Sequence, residues 1–155
     1  MVYQELEKLL CDDNSEYAID PGDRAALHRM LATTRDVVIE GIPTGTLKAD
    51  DNGARWAARF CIKHDTAFVR PMKLATARDV MREAELWAAF AYETHMEMQP
   101  RCKARLNEKG EVITQAKPSS VLGPLYGWRR ILSDGGAELP SLKKVAKVLK
   151  GLAAR

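Results

Sequence analysis

An all-α, compact bundle of about five helices in a single domain is what this sequence predicts, and three observations carry that reading. Apolar residues recur at helical spacing in one segment after another, Gly and Pro clusters separate those segments, and 155 residues suffice for one core but not for two. Only the stretch near 100–117 breaks the pattern, and it predicts an irregular or hairpin insertion.

In "DPGDRAALHRMLATTRDVVIEG", Asp20 stands as N-cap, Pro21 at the first helical position and Gly41 past the end. Leu27, Met30, Leu31, Val37 and Val38 follow at helical spacing, so a helix ending near Glu40 is expected. In "IPTGTLKADDNGARWAARFCIKHDT", Ala49, Trp56, Phe60 and Lys63 fall along one face. They predict a helix from about Leu47 to Lys63, its aromatic pair held by the core, although Gly53 weakens it by roughly 1 kcal/mol relative to Ala. "ATARDVMREAELWAAFAYETHMEM" has Thr76 as N-cap and Val80, Ala84, Trp87, Ala91 and His95 on one stripe; it is apolar over more than one face and so predicts the central helix.

From Gln99 to Lys117 the helical period is lost, and "NEKG" predicts a turn between two short β-prone pieces. "KPSSVLGPLYGWRRILSDGG" then offers Ser119 or Ser120 as N-cap, an inward stripe of Val121, Leu125, Trp128 and Leu132, and a Gly135–Gly136 stop. Pro124 predicts a kink or a late helix start. In the last segment Ser141 is the expected cap. Leu142, Val145, Leu149 and Leu152 form an apolar stripe, with Lys143, Lys147 and Lys150 along another side and Lys144 beside them.

Charge is distributed unevenly along the chain. Residues 1–20 carry net −5 and are expected to be an acidic, mobile lead-in to a domain over 21–155; residues 21–100 are balanced; residues 101–155 carry net +8. A basic third in an otherwise balanced domain points to a polyanion partner. The apolar fraction of 46% and the absence of any run near the ~18 residues of a membrane span predict a soluble protein with no membrane partner. The acidic start is unlike a signal peptide and three scattered cysteines are unlike a disulfide framework, which together predict an intracellular location.

No cofactor is expected, because GxGxxG, GxxxxGK[ST] and GxSxG are all missing from the sequence. Cys61 and His64 form a CxxH pair with no second pair to complete a metal site, even if His95 or Cys102 is added. The adjacent acids Asp50 and Asp51, and Glu83 and Glu85, read as solvated helix faces.

The last two helices carry a resemblance. "KPSSVLGPLYGWRRILSDGGAELPSLKKVAKVLKGLAAR" resembles the end of the N-terminal core-binding domain of tyrosine recombinases, where a Ser/Thr-capped helix with an "I-R-R-I" like core is followed by Gly, Pro and a basic helix ending in "LKGL" and Arg. Upstream, "GTLKADDNGARWAARFCIKHDT" is similar to that domain's early helix. The resemblance is to eukaryotic mobile-element recombinases of the Crypton and DIRS-like kind, and it spans Thr46 to Arg155. It implies a SAM-like helical bundle forming half of a clamp around double-stranded DNA. The helices starting at Thr46 and Lys48, and at Ser119 and Ser120, would lie against the major groove.

On that reading Lys117, Arg129, Arg130, Lys143, Lys144, Lys147 and Lys150 join Thr46, Lys48, Ser119 and Ser120 as DNA-contacting residues. Arg129 and Arg130 have a second reading as surface salt-bridge partners. The family's catalytic residues reside in a separate domain that would follow Arg155, so no cleavage or rejoining of DNA is expected from this chain. Its expected partners are DNA, a recombinase catalytic domain or further copies of itself on DNA; its expected location is the nucleus if the source is eukaryotic, and otherwise the cytoplasm or nucleoid. The rival readings of the last helix are a protein-docking element using its leucines and, less well matched because the apolar face lacks Trp and Phe, a membrane-surface helix.

Overall fold

The computed structural model describes residue 19 and residues 21–34, 44–98, 105–106, 108–113 and 116–154. Among them, helices α1 (Pro21–Thr34), α2 (Thr44–His64), α3 (Ala77–Met98), α4 (Leu122–Asp134) and α5 (Lys143–Ala153) make an all-α bundle. A short antiparallel ladder, β1 (Arg105–Leu106) with β2 (Val112–Ile113), pairs Arg105 with Ile113 and Leu106 with Val112 around the expected turn, where Gly110 has φ of 78°. The acidic lead-in and the expected continuation of α1 to Glu40 lie outside the described residues, except that Ile19 is buried in the core.

The most extensive helix pairing is α2 with α4, and the next is α3 with α5. Trp128 on α4 sits where these pairs meet. Its ring centroid lies 4.5 Å from that of Trp87, 5.0 Å from Phe90, 5.7 Å from Phe68 and 6.5 Å from Phe60. Its indole N–H donates to the Phe68 carbonyl at 3.2 Å, so this large buried side chain is also polar-satisfied. The stripe of Val121, Leu125, Trp128 and Leu132 is fully buried, as its spacing predicts.

On α2 the core holds Phe60 and packs against Trp56 as expected, but small residues make up most of the buried face. Gly53, Ala54, Ala57, Ala58 and Cys61 turn inward with Phe60, while Trp56 is only half-buried and Lys63 is exposed. Small residues there let α4 approach until an added Cβ on Gly53 would sit 2.7 Å from the Pro124 carbonyl oxygen. On α3, Trp87, Ala91 and His95 are buried as expected, but Val80 is exposed beside Met81.

Two acids assigned to solvent are in fact interior. Asp50 is 2% exposed and accepts from Arg130 Nε at 2.8 Å. Glu83 is 5% exposed and takes both arms of the Arg70 guanidinium, with Nε to Oε2 at 3.0 Å. Within each pair the neighbouring acid, Asp51 or Glu85, is less buried, because side chains one or two positions apart on a helix diverge by about 100° per residue. A buried carboxylate requires a partner, and the fold supplies one for each.

Helix boundaries follow local chemistry. Thr76 caps α3 as expected: its hydroxyl accepts the Asp79 amide at 3.1 Å, and the Asp79 carboxylate accepts the Thr76 amide at 3.2 Å. α2 starts at Thr44, earlier than Leu47. Ser119 and Ser120 are not N-caps; they lie within a 3₁₀ turn, Pro118–Val121, and α4 begins only at Leu122. That late start puts Pro124 in the first turn, where its missing N–H has no intrahelical acceptor to serve. Ser141 is likewise displaced as a cap by Leu142, which makes no side-chain cap bond.

α4 ends in a Schellman arrangement. The Ala137 amide donates to the Leu132 carbonyl at 3.0 Å and the Gly136 amide to Ser133 at 2.9 Å, with Gly136 at φ of 90°. Replacing Gly136 with alanine is expected to lower stability by about 1 kcal/mol in a urea melt, because a Cβ is strained at that φ.

Candidate nucleic-acid interface

The C-terminal helix divides its faces between core and solvent. Val145 is buried, and Leu142 and Leu149 pack against the core, where α5 lies on α3 and on the 3₁₀ turn. The stripe from Leu142 to Leu149 therefore completes the bundle and is not a free docking face. Lys143, Lys147 and Lys150 are exposed at i, i+4 and i+7 spacing, and none has an ion-pair partner among the described residues. Lys144 reaches Glu85 on α3 at 3.3 Å.

Helix stability does not account for the lysines that open the row. The first turn of α5 holds no acid, and Lys143 and Lys144 stand there against the positive end of the helix dipole. No acid follows Glu138 in the chain, so nothing on the helix itself screens the lysine row. Lys117, Ser119 and Ser120 are exposed on the 3₁₀ segment that abuts α5. The Ser120 amide is not free for an anion, since it donates to the Lys117 carbonyl at 2.9 Å.

Arg129 and Arg130 are engaged with the fold. Arg129 Nη2 donates to the Pro140 carbonyl at 2.8 Å, and its guanidinium lies 5.1 Å over the Trp87 ring. Burial lowers its pKa from the ordinary value. Arg130 holds Asp50 and so ties α4 to α2. Thr46 lies in the first turn of α2 and Lys48 opens the second, on a helix whose main packing partner is α4; their side chains fall outside the described residues. They thus belong to a different helix pair from the lysine row.

The opposite situation holds where α2 and α3 run together. Lys63 pairs with Glu93 at 3.5 Å, Arg59 with Glu97 at 3.2 Å, and His64 Nε2 lies 2.7 Å from Glu93 Oε2. Partial burial pushes the Glu93 pKa up, but the His64 hydrogen bond and the His64 and Lys63 charges outweigh it and hold the carboxylate below its ordinary range. Cations on this face are neutralised by their own fold.

Cys61, the first half of the CxxH pair, is buried, and burial pushes its thiol up to about 12, so it is a packing residue and not a thiolate at neutral pH. His95 is buried and donates from Nε2 to the Ala116 carbonyl at 3.1 Å, joining the hairpin insertion to α3. Among the described residues no three potential ligands gather as a metal site, and no helix is long and apolar enough to cross a membrane.

Two exposed arginines are not apparent from the sequence pattern: Arg78 and Arg82, one turn apart on α3, with no ion-pair partner among the described residues. Their i, i+4 spacing next to the Thr76 cap is the one signal that marks them. Compared with known families, curated proteins and solved structures, the chain matches none of them.

Proposed function

We propose that this chain is a duplex-DNA-binding module of the tyrosine-recombinase core-binding kind, holding DNA for recombination without itself carrying the catalytic residues. The observation that supports it is the row of Lys143, Lys147 and Lys150, exposed and unpaired among the described residues, on a helix whose apolar side is packed into the core. A helix fixed in this way presents its cations at defined positions, as a phosphate-tracking surface requires. Its working partners would be a recombinase catalytic domain or further copies of the chain on the same DNA.

The test is fluorescence anisotropy with a labelled duplex across a salt series. K143Q/K147Q/K150Q is expected to bind more weakly and to flatten the slope of log K against log salt by about 3, near one per phosphate contact. Its circular dichroism and melting should match the wild type, since these side chains are exposed. Unchanged affinity in that variant would sink the proposal. Arg129 and Arg130 are left intact, because neutralising either disturbs the bundle and would mimic a loss of binding.

A further inference from the structure

The segments that precede α3 and α5 are joined side by side. The Glu138 amide donates to the Met72 carbonyl at 3.0 Å, and the Glu138 carboxylate accepts the Leu74 amide at 2.7 Å. Farther along, Lys144 meets Glu85. The lead-in segments therefore run together and α5 opens beside the third turn of α3, one turn beyond Arg82, so the charge of the first two turns of α3 and of the start of α5 gathers along this side.

That charge is positive and exposed. Lys73 precedes α3, Arg78 and Arg82 lie on its first two turns, and Lys143 opens α5; none has an ion-pair partner among the described residues. The acids nearby are each engaged: Asp79 in the Thr76 cap, Glu138 with Leu74, Glu85 with Lys144, and Glu83 inside with Arg70. Arg78 and Lys143 sit where the helix dipole disfavours a cation, so helix stability does not account for them.

Resting on the DNA-binding reading above, we infer that the contact surface has a second limb, Lys73, Arg78 and Arg82, so that phosphates are held from α3 and α5 together across the Lys144–Glu85 pair. The partner is the backbone of a duplex. A single-strand site stacks bases on exposed aromatic rings, and Trp87, the aromatic residue that α3 carries nearest this cluster, is fully buried.

The experiment repeats the salt series with R78Q/R82Q, with R78K/R82K and with R55Q, which removes an exposed cation from α2. R78Q/R82Q is expected to flatten the slope by about 2, while R78K/R82K retains it and R55Q leaves it unchanged. All three should melt with the wild type, because every altered side chain is exposed. If R78Q/R82Q binds like the wild type while the lysine-row variant loses affinity, the second limb is wrong and the role of α5 stands. Equal loss in R55Q would show that net charge alone is being sensed, which also overturns the limb. Wild-type protein that shows no salt-dependent duplex binding overturns the underlying reading, and this inference with it.

Discussion

Gly53→Ala is expected to cost about 3 kcal/mol of folding stability, even though alanine is the better helix former by roughly 1 kcal/mol. The added Cβ would lie 2.7 Å from the Pro124 carbonyl oxygen, 2.9 Å from the Gly127 Cα and 2.9 Å from the Trp128 amide nitrogen. All three are backbone atoms of α4, so no side chain can rotate away. Relief requires α2 and α4 to separate, and that separation loosens Trp128 from the aromatic cluster it organises. Gly151→Ala makes the contrast: nothing lies within 4 Å of the point its Cβ would occupy, and the substitution is expected to gain about 0.5–1 kcal/mol. Urea melts of the two variants check both signs. A neutral Gly53→Ala would mean that the helices do not cross so closely.

The same crossing explains what the sequence made legible and what it hid. Large side chains announce a buried face by their spacing, as Val121, Leu125, Trp128 and Leu132 do, and α4 is oriented as that spacing predicts. On α2 the large residues Phe60 and Trp56 mark only part of the buried face. Asp50, Gly53, Ala54, Ala57 and Cys61 also keep helical spacing, but small residues give a weak hydropathy signal, and the carboxylate among them argues for solvent. What decides their burial is the proximity of α4 and the presence of Arg130, both long-range facts. Glu83 is the parallel case, since its partner Arg70 lies outside any helix that periodicity could place.

The candidate interface divides in a similar way. Lysines on α5 are readable because the apolar stripe of Leu142, Val145 and Leu149 is unmistakable, and exposure follows from the opposite face. Arg129 and Arg130 share that basic region and yet are held by the fold. An arginine can satisfy a carbonyl, cover an aromatic ring or neutralise a buried acid, and a local pattern does not distinguish these roles from binding. Arg78 and Arg82 are the converse: they sit in a balanced segment where the acids nearest them in sequence, Asp79, Glu83 and Glu85, turn out to be occupied, so net charge by segment concealed them.

Arg130→Met should then act as a folding variant with a distinctive pH dependence. Burial raises the Asp50 pKa above its ordinary value of 3.8, while the Arg130 hydrogen bond and charge pull it down; removing Arg130 leaves burial unopposed by its strongest counterweight. A carboxylate whose folded pKa is raised favours the folded state most below its unfolded value, and that contribution is lost as pH rises through the folded pKa. The variant should therefore come closest to the wild type in an acid melt at about pH 4, and fall behind as the pH rises. At pH 7 the deficit is expected to be about 2–3 kcal/mol, below the full cost of orphaning a buried charge because Arg130 is itself 43% exposed. Asp50→Asn in the Arg130→Met background removes the charge that would be stranded, so it should recover part of the loss at pH 7 and flatten the pH profile. Urea melts at the two pH values check all of this, and a deficit that is the same at both would show that the stranded carboxylate is not its cause.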